Sequence, residues 1–258
     1  RARRMNAEHY SAVAMILSGA AVFLMSTVLN MRAWYGRYNI EVPLTLFKMD
    51  ATLAWILQES PVLVWCVYSY VYGNPACRGS PANVILLVFL ATHYFNRTCI
   101  YPLLIRGGKK TPVEVMLLAF GFCVWNGYNQ TTWLMQSHVY GAEWVSDARF
   151  IGGMILAATG MAINMHSDHI LRNLRKPGET GYRVPQGGMF EFVSGANFLG
   201  EIIEWAGFAI AQWSLVGFAF AFFTAAFIGP RGYHHHQYYL RKFDNYPKHR
   251  RAIIPFIL

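Results

Sequence analysis

Long apolar segments separated by short polar loops dominate the pattern of the chain. A helix that spans a bilayer needs about 20 mostly apolar residues, and five segments meet this length: Ala12–Asn30, Ala51–Tyr72, Val84–Ile105, Val113–Leu134 and Ile151–Ile170. The apolar stretch from Phe192 to Gly229 is too long for one span, and Gln212 with Trp213 divides it into two, of which the second is short. The pattern therefore predicts an all-α integral membrane protein with seven transmembrane helices.

The basic residues follow the alternation that seven spans require. Sixteen of the 22 Lys and Arg residues fall on one side of a seven-span topology, and the loops on the other side hold only Arg78 and Arg149. The sixteen are Arg32, Arg37, Lys48, Arg106, Lys109, Lys110, Arg172, Arg175, Lys176, Arg183, Arg231, Arg241, Lys242, Lys248, Arg250 and Arg251. Because basic loops stay in the cytosol, the C-terminus is predicted to be cytosolic and the N-terminus extracytosolic. With six spans, the basic residues would no longer be concentrated on one side of the membrane.

Composition agrees with a membrane protein. Hydrophobic residues make up 55% of the chain and charged residues only 14%, whereas an ordinary soluble domain carries about 25% charged residues. The net charge of +9 would suggest nucleic acid in a soluble protein, but here the topology explains it. We expect residues 1–258 to form a single transmembrane domain, and Arg1 to Arg4, which precede Met5, to be a remnant of cloning.

Polar side chains inside the predicted spans are the candidates for function, because such groups are costly in a bilayer unless they are paired. Glu59 lies in the second span, and His93, Tyr94 and Arg97 lie in the third. Two further pairs, Asn164 with Asp168 and Asn197 with Glu201, are each spaced by four residues and so share one helix face. The alternative is a purely structural role, in which these groups pair only to hold helices together. Taken as a set, they favour a cavity that their side chains line.

Other acidic residues and the histidines are weaker candidates for a functional site. Glu191 and Glu204 are expected near the bilayer surface, where a carboxylate is merely solvated. His166, His169 and the run His234-His235-His236 raise a di-iron site as an alternative, but such a site needs more histidines than the chain offers. The glycine-rich fingerprints of dinucleotide and P-loop sites are absent from the sequence, so a nucleotide would have to be held by the helices and loops of the bundle.

Several long motifs resemble one known family. They include Trp55-Ile-Leu-Gln-Glu59, His93-Tyr-Phe-Asn-Arg97, Asn164-Met-His-Ser-Asp-His-Ile-Leu-Arg172, Tyr182-Arg-Val-Pro-Gln-Gly-Gly188, Ser194-Gly-Ala-Asn-Phe-Leu-Gly-Glu-Ile-Ile-Glu-Trp205 and Ile254-Pro-Phe-Ile-Leu258. From about Trp34 to its end the sequence resembles the steroid 5α-reductases, and most closely their type 2 form. One departure follows Arg106, where the chain reads Gly-Gly-Lys-Lys in place of a further Arg.

The resemblance implies a seven-helix fold that binds NADPH and reduces the 4,5 double bond of a 3-oxo-Δ4-steroid. It assigns Glu59 and Tyr94 to the steroid 3-oxo group, where a neutral carboxyl and a phenol would both donate hydrogen bonds. It assigns these residues to the cofactor: Trp55, Arg97, Tyr101, Asn164, Asp168, Arg175, Arg183, Asn197, Glu201, Arg231, His235 and Tyr239. It implies no metal.

The partners that follow are a testosterone- or progesterone-like steroid and membrane lipid, with no nucleic acid and with the protein a monomer. The expected location is the endoplasmic reticulum in a eukaryote and the inner membrane in a bacterium. A reductase of polyprenals or other enone lipids is the nearest alternative, and transmembrane methyltransferases have a similar C-terminal segment. A seven-helix receptor or transporter is the rival from another class.

Overall fold

A computed structural model describes residues 2–30, 45–105, 109–175 and 181–258. The helices within them are α1 (Ala2–Thr27), α2 (Ala51–Tyr72), the short α3 (Pro75–Gly79), α4 (Pro81–Phe95), α5 (Val113–Thr132), α6 (Ala148–Arg172), α7 (Ala196–Gln212) and α8 (Leu215–Lys242). Two-residue strands β1 (Lys48–Met49) and β2 (Thr111–Pro112) pair antiparallel. Arg32, Arg37, Arg106 and Lys176 lie outside the described residues.

Each of the seven predicted spans overlaps a helix in the part of the chain that the structure describes. The α-helix α4 ends at Phe95, and the third predicted span continues as a π-helical turn and a 3₁₀ turn. The helix α2 begins and ends at the predicted residues. Among the described residues, four segments are long and apolar enough to cross a membrane: Ala7–Thr27, Pro81–Leu104, Ala148–Arg172 and Leu215–Lys242. The helix α7 has 17 residues and is therefore about 25 Å long, which is short of a bilayer core. Seven crossings and the orientation of the termini stay predictions.

The prediction of a short last span that ends at Gly229 is wrong. The helix α8 continues through Pro230 to Lys242 and has 28 residues. Proline removes one backbone hydrogen bond and favours a kink, but the helix continues because its other bonds remain. Consequently Arg231, Arg241 and Lys242 belong to α8 instead of following it.

The chain forms two compact units, and the first comprises Arg1–Ala14 and Ala33–Ile151. Its long helices α2, α4 and α5 alternate in direction. At one end, β1 and β2 join the segments that precede α2 and α5. At the other end, the Asn83 side chain donates to the carbonyl oxygens of Leu134 and His138, at 2.5 and 2.7 Å. The loops of this unit therefore meet at two opposite ends of its helices.

The second unit comprises Met15–Arg32 and Gly152–Leu258. Its helices α6 and α7 pack antiparallel through glycines whose hydrogen atoms face the other helix. A Cβ atom at Gly153 or Gly160 would collide with the backbone of α7, and one at Gly200 or Gly207 would collide with the backbone of α6. Small residues allow this close approach of backbones in membrane helices.

A tight connection turns the chain from α7 into α8. Trp213 adopts a left-handed conformation with a φ of 45°, which lets the chain reverse at the end of α7. The Ser214 hydroxyl then accepts a hydrogen bond from the backbone nitrogen of Gly217 at 3.0 Å and caps α8. Trp205 packs on Phe220 of α8 with ring centroids 4.5 Å apart, so aromatic contacts hold the two helices together.

The glycine contacts of α6 predict opposite outcomes for two alanine substitutions. Gly160→Ala places a methyl group against the backbone of Glu204 and should destabilise the protein by about 1–3 kcal/mol through overpacking. Gly152→Ala meets no atom within 4 Å and should leave the melting temperature equal or slightly higher, since alanine favours a helix. Thermal melts in detergent measure both, and equal melting temperatures would contradict the close packing.

Candidate active site

In the first unit, Glu59 of α2 and Tyr94 of α4 contact the same face of α5. The Glu59 carboxylate accepts hydrogen bonds from Gln58 Nε2 at 3.1 Å and from Cys123 Sγ at 3.6 Å. The Tyr94 hydroxyl accepts one from Asn126 Nδ2 at 3.4 Å. Cys123 and Asn126 are three residues apart on α5, and such residues are neighbours on a helix surface. The structure thus brings the two predicted catalytic residues to one helix face.

The residues after Glu59 explain how α2 stays continuous there. Pro61 lies inside the helix and has no N–H to donate to the carbonyl of Leu57. The Ser60 hydroxyl donates to that carbonyl oxygen at 3.1 Å. This side-chain bond replaces the missing backbone bond one residue after Glu59.

Three of the predicted cofactor residues, Trp55, Arg97 and Tyr101, form one cluster in the first unit. The guanidinium carbon of Arg97 lies 4.6 Å from the Trp55 ring centre and 4.7 Å from the Tyr101 ring centre, and the two rings meet edge to face at 5.1 Å. Arg97 lies in a π-helical turn, Asn96–Ile100, and such turns are frequent at functional sites. Cation–π contacts hold the guanidinium in place.

Sequence reasoning missed the polar stretch at the end of α5. Its buried polar residues are Asn126, Asn129, Gln130, Thr131 and Thr132. The available signal was the run Asn126-Gly-Tyr-Asn-Gln-Thr-Thr132 inside a predicted span. Polar side chains are costly in a bilayer unless they are paired, so this stretch needs bonding partners on the neighbouring helices.

Glu8 of α1 was missed as well. It is 5% exposed and accepts a hydrogen bond from Ser137. Nearby, Ser11 of α1 donates to Asn129 Oδ1 at 2.9 Å and accepts from Trp125 Nε1 at 2.8 Å. These bonds fix the start of α1 against the polar end of α5.

In the second unit, the faces that carry the two amide–carboxylate pairs meet. Asn164 Nδ2 of α6 donates to the backbone oxygen of Asn197 of α7 at 2.9 Å. Asp168 is buried one turn further along α6, and Asn197 and Glu201 are half-buried. The glycine packing of α6 and α7 makes this contact possible because it brings the two backbones close together.

The expectation that Glu204 is solvated is wrong, since it is fully buried. It lies where α7 packs against Gly160 of α6, so the helix contact removes it from solvent. Glu191 is exposed as expected.

The remaining cofactor candidates of α8 lie in an aromatic and hydrogen-bonded network. Tyr239 is buried and stacks on Tyr246 with ring centroids 5.4 Å apart. The Ser194 hydroxyl lies 2.6 Å from the Tyr246 hydroxyl and 2.7 Å from His236 Nδ1. His235 packs against Phe198 of α7 at 5.3 Å. Ser194 and Tyr246, which sequence reasoning did not single out, therefore fix the surroundings of Tyr239.

Arginines occupy two different environments in this unit. Arg175 and Arg183 are exposed, so both are accessible to an anionic ligand. The guanidinium carbon of Arg231 lies 3.9 Å from the Phe227 ring centre. Arg250 is buried and donates to the Pro185 carbonyl oxygen at 2.7 Å, which ties the C-terminal segment to the loop that carries Arg183.

The histidines considered for a di-iron site have separate neighbours. Gly188, with a φ of 53°, lies so close to the His166 ring that a Cβ atom would be 2.6 Å from Cε1, while His236 bonds to Ser194. In the described parts of the chain, no three His, Cys, Asp or Glu side chains form a group that could hold a metal ion.

Comparison with known proteins identifies the family. The long apolar helices indicate an integral membrane protein. A family profile described as 3-oxo-5-alpha-steroid 4-dehydrogenase matches residues 109–258. The chain belongs to this family and is therefore an oxidoreductase, as the resemblance indicates.

Relatives of two types match over most of their length. The 3-oxo-5-alpha-steroid 4-dehydrogenase 1 of Homo sapiens is 49% identical over 240 residues, which is 93% of this chain and 91% of the relative. The type 2 enzyme of Rattus norvegicus is 47% identical over 246 residues, 94% and 96% of the two chains. That of Sus scrofa is 50% identical over 224 residues, 86% and 87%. These identities do not separate type 1 from type 2.

The loop before α7 predicts a specific acid sensitivity. The backbone N–H of Gly187 donates to Glu191, and Arg250 Nη2 lies 3.3 Å from the same carboxylate; both lower the pKa of Glu191 below its ordinary value of 4.5. A depressed carboxyl pKa stabilises the folded state above the ordinary pKa, and this stability is lost as the pH falls through the folded-state pKa. Glu191→Gln should therefore weaken the fall of the melting temperature in acid.

The control is Glu143→Gln. Glu143 is exposed, as Glu191 is, and it lies in a 3₁₀ turn, Ala142–Ser146. Thermal melts over an acidic pH series compare the two variants with the wild type. A Glu191→Gln profile parallel to the wild-type profile would show that these bonds do not stabilise the loop.

Proposed function

We propose that the protein uses NADPH to reduce the 4,5 double bond of a 3-oxo-Δ4-steroid to the 5α-reduced 3-oxosteroid. The observation that carries the proposal is the contact of Glu59 and Tyr94 with one face of α5. By the resemblance to the steroid 5α-reductases, these two residues match the pair that holds the steroid 3-oxo group. The names of the relatives support a steroid as the substrate, and for this reason we do not favour a polyprenal.

The protein's part in the reaction is electrostatic. Addition at C5 drives electrons toward the oxygen on C3, which gains enolate character. Glu59, through its carboxyl group, and Tyr94, through its phenol, donate hydrogen bonds to that oxygen, and each donor stabilises the transition state by about 3–4 kcal/mol. C4 then takes a proton from water or from Tyr94.

The residues present fit a dinucleotide, which supplies the hydride when it is bound. Amide and carboxylate groups of Asn164, Asp168, Asn197 and Glu201 suit ribose hydroxyls and a carboxamide. The buried hydroxyl of Ser167, next to Asp168, has no hydrogen-bond partner in the described chain, as expected of a group that a ligand satisfies.

The other candidates suit the remaining parts of the cofactor. Exposed Arg175 and Arg183, together with Arg231, suit phosphates, including a 2′-phosphate, because a guanidinium binds phosphate bidentately. The resemblance assigns His235 and Tyr239 to the cofactor, and likewise Trp55, Arg97 and Tyr101.

We propose further that the protein acts as a monomer with its C-terminus in the cytosol. The positive-inside rule supports this orientation, which exposes Arg175 and Arg183 to cytosolic NADPH. The membrane would be the endoplasmic reticulum in a eukaryote and the inner membrane in a bacterium.

Incubation of the purified protein with NADPH and testosterone or progesterone tests the proposal. We expect consumption of NADPH and of the 4-ene, with a 5α product by chromatography, and a lower kcat/KM with NADH. Absence of steroid reduction, or a 5β product, would overturn the proposed reaction.

Substitutions at the two donors should lower turnover while the fold is kept. Glu59→Leu and Tyr94→Phe should each lower kcat by about 10²–10³, as for the loss of one oxyanion donor. Glu59→Gln should lower it less, because the amide still donates a hydrogen bond. The control is Glu114→Gln, at a carboxylate of α5 that accepts from the Leu46 backbone nitrogen. Wild-type kcat in Glu59→Leu would remove the assigned role.

Two asparagine variants separate cofactor binding from helix packing. The contact between α6 and α7 uses the side chain of Asn164 but only the backbone of Asn197. Asn197→Ala should therefore keep the melting temperature of the free protein and reduce the stabilisation that NADPH confers through linkage. Without cofactor, Asn164→Ala should lower the melting temperature, because the lost hydrogen bond lowers the free energy of unfolding by about 1 kcal/mol. An unchanged NADPH-induced shift in Asn197→Ala would exclude its side chain from the cofactor site.

A further inference from the structure

We propose that Asn126 is a positioning residue that turns the hydroxyl hydrogen of Tyr94 toward the substrate. The inference rests on the proposed function, because it assigns the direction of a hydrogen bond to the steroid 3-oxo oxygen. It concerns a residue of α5 that contacts Tyr94 and does not itself donate to the substrate in place of Glu59 or Tyr94.

The chemistry of the amide fixes this direction. Asn126 is fully buried, and its Nδ2 lies 3.4 Å from the Tyr94 hydroxyl oxygen. An amide nitrogen donates and cannot accept, so the phenol oxygen is the acceptor in this contact. The phenol hydrogen is therefore not donated to Asn126, as stabilisation of an enolate oxygen by Tyr94 requires.

Gln130 determines which end of the Asn126 amide faces Tyr94. Gln130 is also fully buried, one turn further along α5, and its Nε2 donates to Asn126 Oδ1 at 3.3 Å. If the Asn126 amide alone were flipped, two NH₂ groups would face each other and this bond would be lost. With Gln130 oriented as it is in the structure, the pair presents a nitrogen, not an oxygen, to Tyr94.

The same chain of bonds should make Tyr94 a better donor. Hydrogen bonds that follow one another polarise each other in a medium of low dielectric. Donation from Gln130 to Asn126, and from Asn126 to Tyr94, increases the polarity of the phenol O–H bond. The effect on the reaction is then expected in kcat more than in KM, because it grows with the charge on the substrate oxygen.

A purely structural role for Asn126, as a tie between α4 and α5, is the competing explanation. Asn129 provides a matched control, since it is a buried asparagine on the same helix whose amide bonds to the Ser11 hydroxyl at 2.9 Å. A structural tie would predict similar effects of the two alanine variants on stability and activity. A positioning role predicts that only Asn126 is coupled to Tyr94.

The experiment measures kcat and KM for steroid reduction in Asn126→Ala, Asn129→Ala, Tyr94→Phe and Asn126→Ala/Tyr94→Phe. We expect Asn126→Ala to lower kcat about tenfold, as for one lost hydrogen bond, with KM changed less. Asn126→Ala should have no further effect in the Tyr94→Phe background, which lacks the hydroxyl. Asn129→Ala should lower the melting temperature and keep kcat.

A second variant covers the case in which Asn126→Ala does not fold. Asn126→Asp keeps the volume but presents an oxygen to Tyr94, which would accept the phenol hydrogen, so kcat should fall at least as far. Wild-type kcat in either variant, or equal effects of Asn126→Ala with and without the Tyr94 hydroxyl, would overturn the inference. A wild-type protein that reduces no steroid would instead overturn the proposed function.

Discussion

A polar side chain among apolar helices must find a bonding partner, and α5 supplies the partners on which the first unit depends. Its polar end bonds to the three neighbouring helices: Asn129 accepts from Ser11 of α1, Thr131 accepts from Ser69 of α2 and Asn126 donates to Tyr94 of α4. Because an unmade bond in this environment is costly, these contacts specify how the helices are arranged, and Glu59 and Tyr94 are held by the same helix.

The second unit meets the same constraint by bringing two backbones close together. Glycines of α6 and α7 remove the side chains that would separate the helices. A Cβ atom at Gly200 would collide with the backbone of Asn164, which shows how near α7 lies to that residue. The Asn164 amide can then reach the carbonyl of Asn197. The polar contact that sets the face of the candidate cofactor site thus depends on residues that carry no side chain.

The sequence predicted the helices well because each needs a long apolar run, and α2 has the predicted bounds. It failed at α8, since the apolar stretch ends at Gly229 whereas the helix continues to Lys242. It also missed Asn126, because a window as long as a span averages a short polar run with its apolar neighbours. The spacing of residues along the sequence shows which of them share a helix face. It cannot show which residues of two different helices are neighbours, such as Cys123 of α5 and Glu59 of α2.

Both groups of candidate residues in the first unit lie where the regular pattern of backbone hydrogen bonds in a helix is interrupted. Pro61 removes a backbone bond just after Glu59, and the Ser60 hydroxyl replaces it. The turn that contains Arg97 is π-helical; an inserted residue of this kind changes which side chains share a face. There the guanidinium lies between Trp55 and Tyr101. Regular helices would be easier to form, so the interruptions are best explained by the placement of these side chains, and local bonds and ring contacts offset their cost.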